Sequence, residues 1–232
     1  MGCCSSSIIS CEKLTQFNDI IDDDDDDDND EEIDSRALTH LSVPIISLIG
    51  GPGVNKTILG KRLADEFGFS EIISSELVRM EVSNDTERGR QFKRIMLEGH
   101  NLPDRIIFKI IQRKMLSFVN SRGFIIVGYP RTKIQAKLFN SQIRQPDLMF
   151  YVWAGKQFIE ERIKGRAIAN ERFDDTVDAI NIRVKTFFRN IDGILRVNKN
   201  CVTVIDGQRE INEIFHACRD AVNSMLIKYQ TK

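Results

Sequence analysis

The stretch IISLIGGPGVNKTILG, residues 45–60, decides the fold of this chain. An apolar run of the kind that forms a buried strand leads into a glycine-rich turn and then into a pattern of helical period. The turn matches the phosphate-loop pattern G-x-x-x-x-G-K-[ST], in which backbone N–H groups and a lysine hold phosphate oxygens. Gly50 takes the first position, Lys56 the lysine and Thr57 the hydroxyl. The sequence therefore predicts a strand, a phosphate-binding loop and a helix.

Asn55 departs from this pattern, which has glycine immediately before the lysine. That glycine reaches backbone conformations that most residues avoid, and asparagine is one of the few other residues that tolerates the left-handed region. We expect the loop to close around phosphate with some strain, and with the Asn55 side chain crowding it. An ordinary turn between a strand and a helix is the alternative. The predicted phosphate-binding loop comprises Gly50, Gly51, Gly53, Val54, Asn55, Lys56 and Thr57.

Short apolar strands alternate with charged, amphipathic helical segments along the rest of the chain. The strand patterns after the first are GFIIVGYP, DLMFYVW and CVTVID. Such alternation is typical of a parallel sheet with helices on both faces. Two longer helical stretches, residues 75–99 and 103–121, precede the first of these strands, GFIIVGYP, and predict an inserted helical subdomain. We therefore predict an α/β fold, a three-layer phosphate-loop fold with a parallel central sheet.

Three motifs in a fixed order resemble the adenylate kinases and the wider nucleoside monophosphate kinase family, in its short-lid form. They are GGPGVNKT, GYPR at residues 128–131 and RAIANERFDD at residues 166–175. The resemblance covers about residues 44–228. It implies a domain of residues 41–232, with a monophosphate-binding insert at about 74–103 and a lid at about 166–176. The implied reaction is reversible phosphoryl transfer from Mg-ATP to AMP, giving two ADP, with Mg²⁺ as cofactor.

The resemblance also assigns roles to residues of the acceptor site. Ser74 and Arg79 match the segment that opens the monophosphate subdomain, where the arginine binds the phosphate of the acceptor. Arg131 of GYPR, which begins at Gly128, matches a second arginine on that phosphate, and Gln135 matches the glutamine that reads adenine. Pyrimidine-preferring relatives carry asparagine at the position of Gln135 and alanine at that of Ser74. Both positions therefore favour AMP as the acceptor.

Arginines around the lid complete the implied site. Arg162 and Arg166 match basic residues that border the lid and bind ATP, Arg172 matches the lid arginine, and Arg183 matches one on the following helix. Phosphoryl transfer needs two anions held in line and their charge neutralised, and the planar fork of arginine suits phosphate oxygens. Asp174 and Asp175 are expected to hold the closed lid by hydrogen bonds. The implied catalytic residues are Lys56, Arg131, Arg166, Arg172 and Arg183; Arg172 and Arg183 also contribute to the AMP site.

Val127 is the most serious departure from the family pattern. The family has an aspartate there, which orients water on Mg²⁺, and valine has no group for this role. Thr57 and Ile58 replace the usual glycine and threonine after the lysine, and Ser75 replaces a glycine. We therefore expect no direct protein ligand for the metal other than the Thr57 hydroxyl. An adenylate kinase-like enzyme is the favoured function. The alternative is a nucleotide-binding pseudoenzyme with little turnover and a scaffold or signalling role.

Residues 1–40 are predicted to be a disordered acidic tail. The chain has 33 basic and 34 acidic residues, and positions 1–35 hold one of the basic and 13 of the acidic ones. Positions 36–232 therefore hold 32 basic and 21 acidic residues, a net charge of +11. Like charges as dense as those of residues 19–34 do not pack. Gly2 fits the N-myristoylation pattern, and Cys3 and Cys4 are candidates for palmitate, the second anchor that stable membrane binding requires. We expect a membrane-associated cytoplasmic protein.

Composition excludes several other classes of protein. Five cysteines without paired spacing argue against a disulfide framework and against a zinc site. A basic body suits anionic ligands, but with a single tryptophan and no stacking motif we expect no nucleic-acid partner. We expect a monomer that binds ATP and AMP.

Overall fold

Strand β1 (Ile45–Gly50) lies at the centre of the sheet in a computed structural model of the protein, which describes residues 36–118, 120–168 and 173–230. The other strands of the sheet are β2 (Ser70–Ile73), β3 (Phe124–Val127), β4 (Leu148–Trp153) and β5 (Val202–Asp206). Their spatial order is β2-β3-β1-β4-β5, and all four pairings are parallel. The predicted α/β fold with a parallel central sheet is therefore confirmed.

Helices connect the strands, as a parallel sheet requires, because each connection must carry the chain back to the end of the sheet where the strands begin. The helices among the described residues are α1 (Arg36–Thr39), α2 (Lys56–Phe67), α3 (Ser74–Ser83), α4 (Glu87–Leu97), α5 (Asp104–Leu116), α6 (Lys133–Gln142), α7 (Lys156–Ile168), α8 (Val177–Val197) and α9 (Ile211–Gln230). None of these helices is both long enough and apolar enough to span a bilayer.

Both faces of the sheet are buried, as the continuous apolar runs of β1 and β4 predict. Leu48 belongs to a core cluster on one face, together with Leu63 of α2. Its neighbour Ile49 belongs to a second cluster on the other face, with Ile191 and Ile194 of α8. Successive side chains of a strand point to opposite faces, so α2 and the C-terminal part of α8 pack on opposite faces of β1. The N-terminal part of α8 also contributes to the first cluster.

The carboxyl end of β1 lies where the chain changes direction across the sheet. After β1 the chain builds β2 and β3 on one side of it, then β4 and β5 on the other. In open parallel sheets the crevice at such a switch point is the usual place for a ligand. The phosphate-loop motif, which directly follows β1, therefore lies at the position where the topology favours binding.

The segment between β2 and β3 contains three helices, α3, α4 and α5. The sequence predicted two helical stretches there, at residues 75–99 and 103–121. The first is interrupted because Asp85 takes a positive φ of 50° and the Thr86 side chain then caps α4 by accepting the Gly89 N–H. The second ends at Leu116. Strand β2 was not anticipated.

Helix α1 lies within the range predicted as tail, residues 1–40. Its Leu38 is completely buried, and the helix contacts α5. The apolar side chain explains the difference, since burying one leucine stabilises a short segment by roughly 2 kcal/mol. The acidic run of residues 19–34, Gly2, Cys3 and Cys4 lie outside the described residues.

Candidate active site

The loop between β1 and α2 has the backbone shape that its sequence suggested. Asn55 adopts the left-handed conformation, with φ 55° and ψ 26°, directly before α2 begins. Its side chain makes no capping hydrogen bond, and the first turn of α2 carries no acidic residue. The N–H groups at this helix end therefore remain directed at the cleft, where an anion is favoured by the helix dipole.

The glycines of the loop allow α7 to approach it closely. A Cβ at Gly51 would lie 2.4 Å from the Ile159 Cδ1 atom of α7, and Gly53 has a φ of 83°. Val54 is buried beneath the loop. The Lys56 ammonium folds back and donates to the Gly51 carbonyl at 2.6 Å. The Lys56 ammonium therefore lies across the loop and is held by the loop's own backbone.

Ser74 and Arg131 meet at the turn that follows β3. The Ser74 hydroxyl, which is buried, donates to the Gly128 carbonyl at 3.0 Å. The Arg131 Nε atom donates to the same carbonyl at 3.0 Å, and its Nη2 atom lies 3.5 Å from the Ser74 hydroxyl. The first turn of α3 and the GYPR turn are therefore held together at the edge of the cleft.

Arg79 and Arg183 share a buried carboxylate. The Asp174 Oδ2 atom accepts from Arg183 Nη2 at 2.6 Å and from Arg79 Nη2 at 3.3 Å. Asp175 accepts from Arg183 Nη1 at 3.0 Å, and both acidic side chains are almost fully buried. These contacts join the insert, the carboxyl end of the expected lid and helix α8 in a single charge network.

The charges of this network lower the pKa values of Asp174 and of the neighbouring Arg131. Burial alone would raise the pKa of Asp174, but the positive charges of Arg183 and Arg79 outweigh burial and lower it. Arg131 is open to the cleft, yet the protein atoms around its guanidinium desolvate it. Together with the charges of Arg183 and Arg79, this desolvation lowers the pKa of Arg131 to about 10. The cleft therefore concentrates positive charge that an anionic ligand would neutralise.

Gln135, at the start of α6, is buried and held at both ends of its amide. Its Oε1 atom accepts the Arg131 backbone N–H at 2.7 Å, and its Nε2 atom donates to the Asp104 Oδ1 atom at 2.8 Å. Asp104 and its second partner Thr132 were not singled out from the sequence. No local pattern identifies them, because Asp104 and Gln135 are 31 residues apart and meet only when α5 packs on α6.

One cavity of about 360 Å³ brings most of the predicted site residues together. From the described residues it is lined by Gly50, Gly53, Asn55, Lys56, Thr57, Ser74, Arg79, Gly128, Arg131, Gln135, Asp174 and Arg183. Gly51, Val54 and Arg162 do not line it, although the Arg162 Cβ atom lies 3.4 Å from where a Gly53 Cβ would be. Arg172 and the side chain of Arg166 lie outside the described residues.

Val127 and Ile58 make the donor end of this cavity apolar. Val127 is buried, and a Cβ at Gly60 of α2 would lie 2.4 Å from its Cγ2 atom. Ile58 lines the cavity and is 53% exposed. Among the described residues no group of three or more histidine, cysteine or acidic side chains could hold a metal ion. The Thr57 hydroxyl is a side-chain oxygen that lines this cavity and suits a magnesium ion that arrives with phosphate ligands.

Comparisons with known proteins agree with this geometry. A family model described as adenylate kinase matches residues 48–201. Adenylate kinase 1 of Drosophila melanogaster is 30% identical over 198 residues, covering 84% of this chain and 86% of that protein. Adenylate kinase isoenzyme 1 is 30% identical in Gallus gallus and 29% in Homo sapiens, each over 74% of this chain and 90% of the relative. The chain therefore belongs to the adenylate kinase family and is a phosphotransferase.

Proposed function

We propose that this protein transfers the γ-phosphoryl group of Mg-ATP reversibly to AMP, giving two ADP. The observation that carries the proposal is the single cavity, which contains a phosphate loop at one end and three convergent arginines at the other. Such a cavity suits two anions held in line, which is the main requirement of phosphoryl transfer. Similarity to adenylate kinases supports ATP and AMP as the two nucleotides.

In this proposal the donor phosphates bind the loop and the first turn of α2. Lys56 exchanges the Gly51 carbonyl for phosphate oxygens, and the N–H groups around Asn55 bind the same anion. Magnesium supplies charge neutralisation between the phosphates when bound, and Thr57 is the residue that would hold it. Arg162 and Arg166 bind the donor beside the lid, at about residues 166–176, and the lid closes the site. Arg172 of the lid contributes to the AMP site.

The acceptor phosphate binds Arg79, Arg131 and Arg183. Arg79 has a buried Nε atom without a hydrogen-bond partner among the described residues, and an acceptor oxygen would satisfy it. Arg79 and Arg183 share Asp174, so the phosphate adds to an existing ion pair rather than to isolated charges. Ser74 and Gln135 favour AMP over a pyrimidine nucleotide. The acceptor insert in this proposal spans about residues 74–103, within a domain of residues 41–232.

A second candidate function is nucleotide binding with little or no turnover, in a scaffold or signalling role. The specific observation in its favour is Val127, whose side chain packs on Gly60 and offers no oxygen to metal-bound water. The acceptor arginines would still bind nucleotide. Both candidate functions therefore predict nucleotide binding, and they differ in the rate of turnover that they predict.

A coupled assay with Mg-ATP and AMP, CMP or UMP tests the proposal, with Lys56→Ala as the control variant. We expect ADP formation with AMP well above that with CMP or UMP, and a loss of at least 100-fold in the control. Binding of ATP and AMP, measured by calorimetry, is the second readout. Background activity with binding retained would establish the second candidate instead.

We also propose that the protein is a monomer tethered to a membrane through its N-terminus, on the cytoplasmic side. Gly2 would carry myristate, and Cys3 and Cys4 palmitate, since one acyl chain alone binds membranes only weakly. Labelling cells with alkynyl myristate and alkynyl palmitate tests this. Gly2→Ala should abolish the first label and release the protein from membranes, whereas Cys3→Ser with Cys4→Ser should abolish only the second. A wild-type protein that takes up neither label would refute the tether.

A further inference from the structure

Asp104 is the one charged group that contacts the base-reading amide of Gln135 in the described structure. The Asp104 Oδ1 atom accepts from Gln135 Nε2 at 2.8 Å and from the Thr132 hydroxyl at 3.0 Å. Gln135 is 1% exposed, and its Oε1 atom accepts the Arg131 backbone N–H at 2.7 Å. The amide therefore lies between a group that only accepts hydrogen bonds and a group that only donates them.

This pair of contacts permits a single orientation of the amide. Turned over, the amide would direct its oxygen at the Asp104 carboxylate and its NH₂ group at the Arg131 N–H, and both hydrogen bonds would be lost. An amide oxygen has two lone pairs and an amide nitrogen has two hydrogens. Each end of Gln135 therefore keeps one hydrogen-bonding position for a ligand in the cavity, with the acceptor and the donor in fixed places.

A fixed amide distinguishes two classes of purine. A 6-aminopurine presents an amino donor and the N1 acceptor on its Watson–Crick edge, which complements an amide oxygen and an amide N–H. A 6-oxopurine presents a carbonyl acceptor and an N1–H donor, which complement the same amide only after it has turned over. A buried polar group left unpaired is strongly disfavoured, so the orientation of the amide becomes substrate discrimination.

We propose that Asp104 is a positioning residue that fixes the orientation of the Gln135 amide and thereby selects a 6-aminopurine monophosphate as acceptor. The inference rests on the proposed function, since it takes Gln135 to read the acceptor base. Asp104 acts through Gln135 and need not touch the substrate. Asp104 is the first residue of α5, whereas Thr132 caps α6 and Gln135 lies in its first turn. The packing of α5 on α6 therefore sets the specificity.

A purely structural role for Asp104 makes a different prediction. The Thr132 hydroxyl caps α6 by accepting the Gln135 N–H at 3.0 Å while it donates to Asp104. If Asp104 served only to tie α5 to α6, cutting its tie to Thr132 would also change the selectivity for the base, because it loosens the same packing. Thr132→Val removes this tie and leaves the contact between Asp104 and Gln135 in place, and so it is the matched control.

The test measures the dissociation constants of AMP and IMP by calorimetry, with the melting temperature of each variant. Asp104→Asn is nearly isosteric but both donates and accepts, so it no longer decides the orientation of the amide. We expect the IMP-to-AMP ratio of dissociation constants to fall by roughly three- to tenfold, since the Arg131 N–H still favours one orientation. Asp104→Ala should lower the ratio similarly. Thr132→Val should lower the melting temperature and keep the ratio within about twofold.

The outcomes separate this inference from the proposed function. A wild-type protein that binds neither nucleotide would refute the proposed acceptor site, whatever Asp104 does. A wild-type preference for AMP that is unchanged in Asp104→Asn and Asp104→Ala would overturn the positioning role and leave the proposed function standing. An equal fall of the ratio in Thr132→Val would overturn it as well, in favour of a structural tie.

Discussion

The acceptor end and the donor end of the cleft differ in the polar side chains that they present. At the acceptor end, Arg79 and Arg183 share Asp174, and Gln135 is bonded at both ends of its amide. At the donor end, Ile58 and Val127 occupy places where the family uses oxygen-bearing side chains, and Asn55 takes a left-handed conformation. The difference indicates that substitutions have altered the donor end more than the acceptor end.

Replacing Arg131 with methionine should have the largest effect on activity. We expect kcat/KM for AMP to fall by about 10³-fold, the lower end of what a phosphate-neutralising arginine contributes. Stability should change little, because desolvation and the charges of Arg183 and Arg79, which lower the pKa of Arg131 to about 10, oppose the positive charge at this position. Steady-state kinetics and thermal unfolding measure the two quantities. Arg131→Lys retains the charge without the planar fork, and its activity should lie between those of the wild type and Arg131→Met. A methionine variant that loses both activity and stability would contradict this separation.

Replacing Asp174 with asparagine should affect stability more than any donor-end substitution. It leaves Arg79 and Arg183 with one fewer buried counter-charge, and we expect a loss of about 2–3 kcal/mol in the free energy of unfolding at pH 7. Chemical denaturation measures this loss. Glu87→Gln, which removes an exposed partner of Arg90, is the matched control and should change stability by less than about 0.5 kcal/mol.

The acid dependence of stability provides a second test of the Asp174 contacts. Since the folded structure lowers the pKa of Asp174, its contribution is fully present above the unfolded carboxyl pKa of about 3.9. It is lost as the pH falls through the lower, folded value. The difference in stability between the wild-type protein and Asp174→Asn should therefore shrink as the pH falls below about 4. A constant difference down to pH 3 would argue against the ion pairs as its source.

The sequence predicted the parallel sheet and the phosphate loop because both have strong local signals. The runs IISLI and DLMFYVW are continuous and apolar, and the glycines and Lys56 follow directly. Strand β2 was missed since SEII is four residues long, contains a glutamate and pairs on one side only, with β3. The break between α3 and α4 depends on a single positive φ at Asp85.

Site geometry was predictable only where a family motif covers it. The positions of Arg79, Arg131 and Arg183 followed from the resemblance, and the cavity brings all three together. The pairing of Asp104 with Gln135 was not predictable, because it depends on how α5 packs on α6. Charge partners are similarly invisible in sequence: Arg79 is 95 residues from Asp174, and only the folded chain brings the two side chains together.

Replacing Val127 with aspartate should strengthen the donor end. We expect kcat to rise by about tenfold, part of the several kcal/mol that an organised magnesium shell contributes, because Ile58 still offers no oxygen. The carboxylate would lie against Gly60 in an apolar cluster, so stability should fall by about 2 kcal/mol. Val127→Asn is the control for size and polarity and should lose stability without gaining activity. Equal turnover in wild type and the aspartate variant, over a range of Mg²⁺ concentrations, would show that the metal is organised without this position.

The smallest expected effects belong to Asn55, and they test whether its side chain or its backbone limits the donor end. At φ 55° alanine is strained, so Asn55→Ala should lower stability by about 1 kcal/mol. Glycine relieves the strain but adds freedom to the unfolded chain, so Asn55→Gly should stay within about 0.5 kcal/mol of wild type. The glycine variant also removes the side chain beside the phosphates, and we expect its KM for ATP to fall by about twofold to fivefold.

Kinetics of both Asn55 variants, with chemical denaturation, distinguish an effect of the side chain from an effect of the backbone. If alanine lowers KM as much as glycine, the side chain alone crowds the phosphates; if neither does, Asn55 is a harmless substitute for the family glycine and the weakness of the donor end lies at Val127.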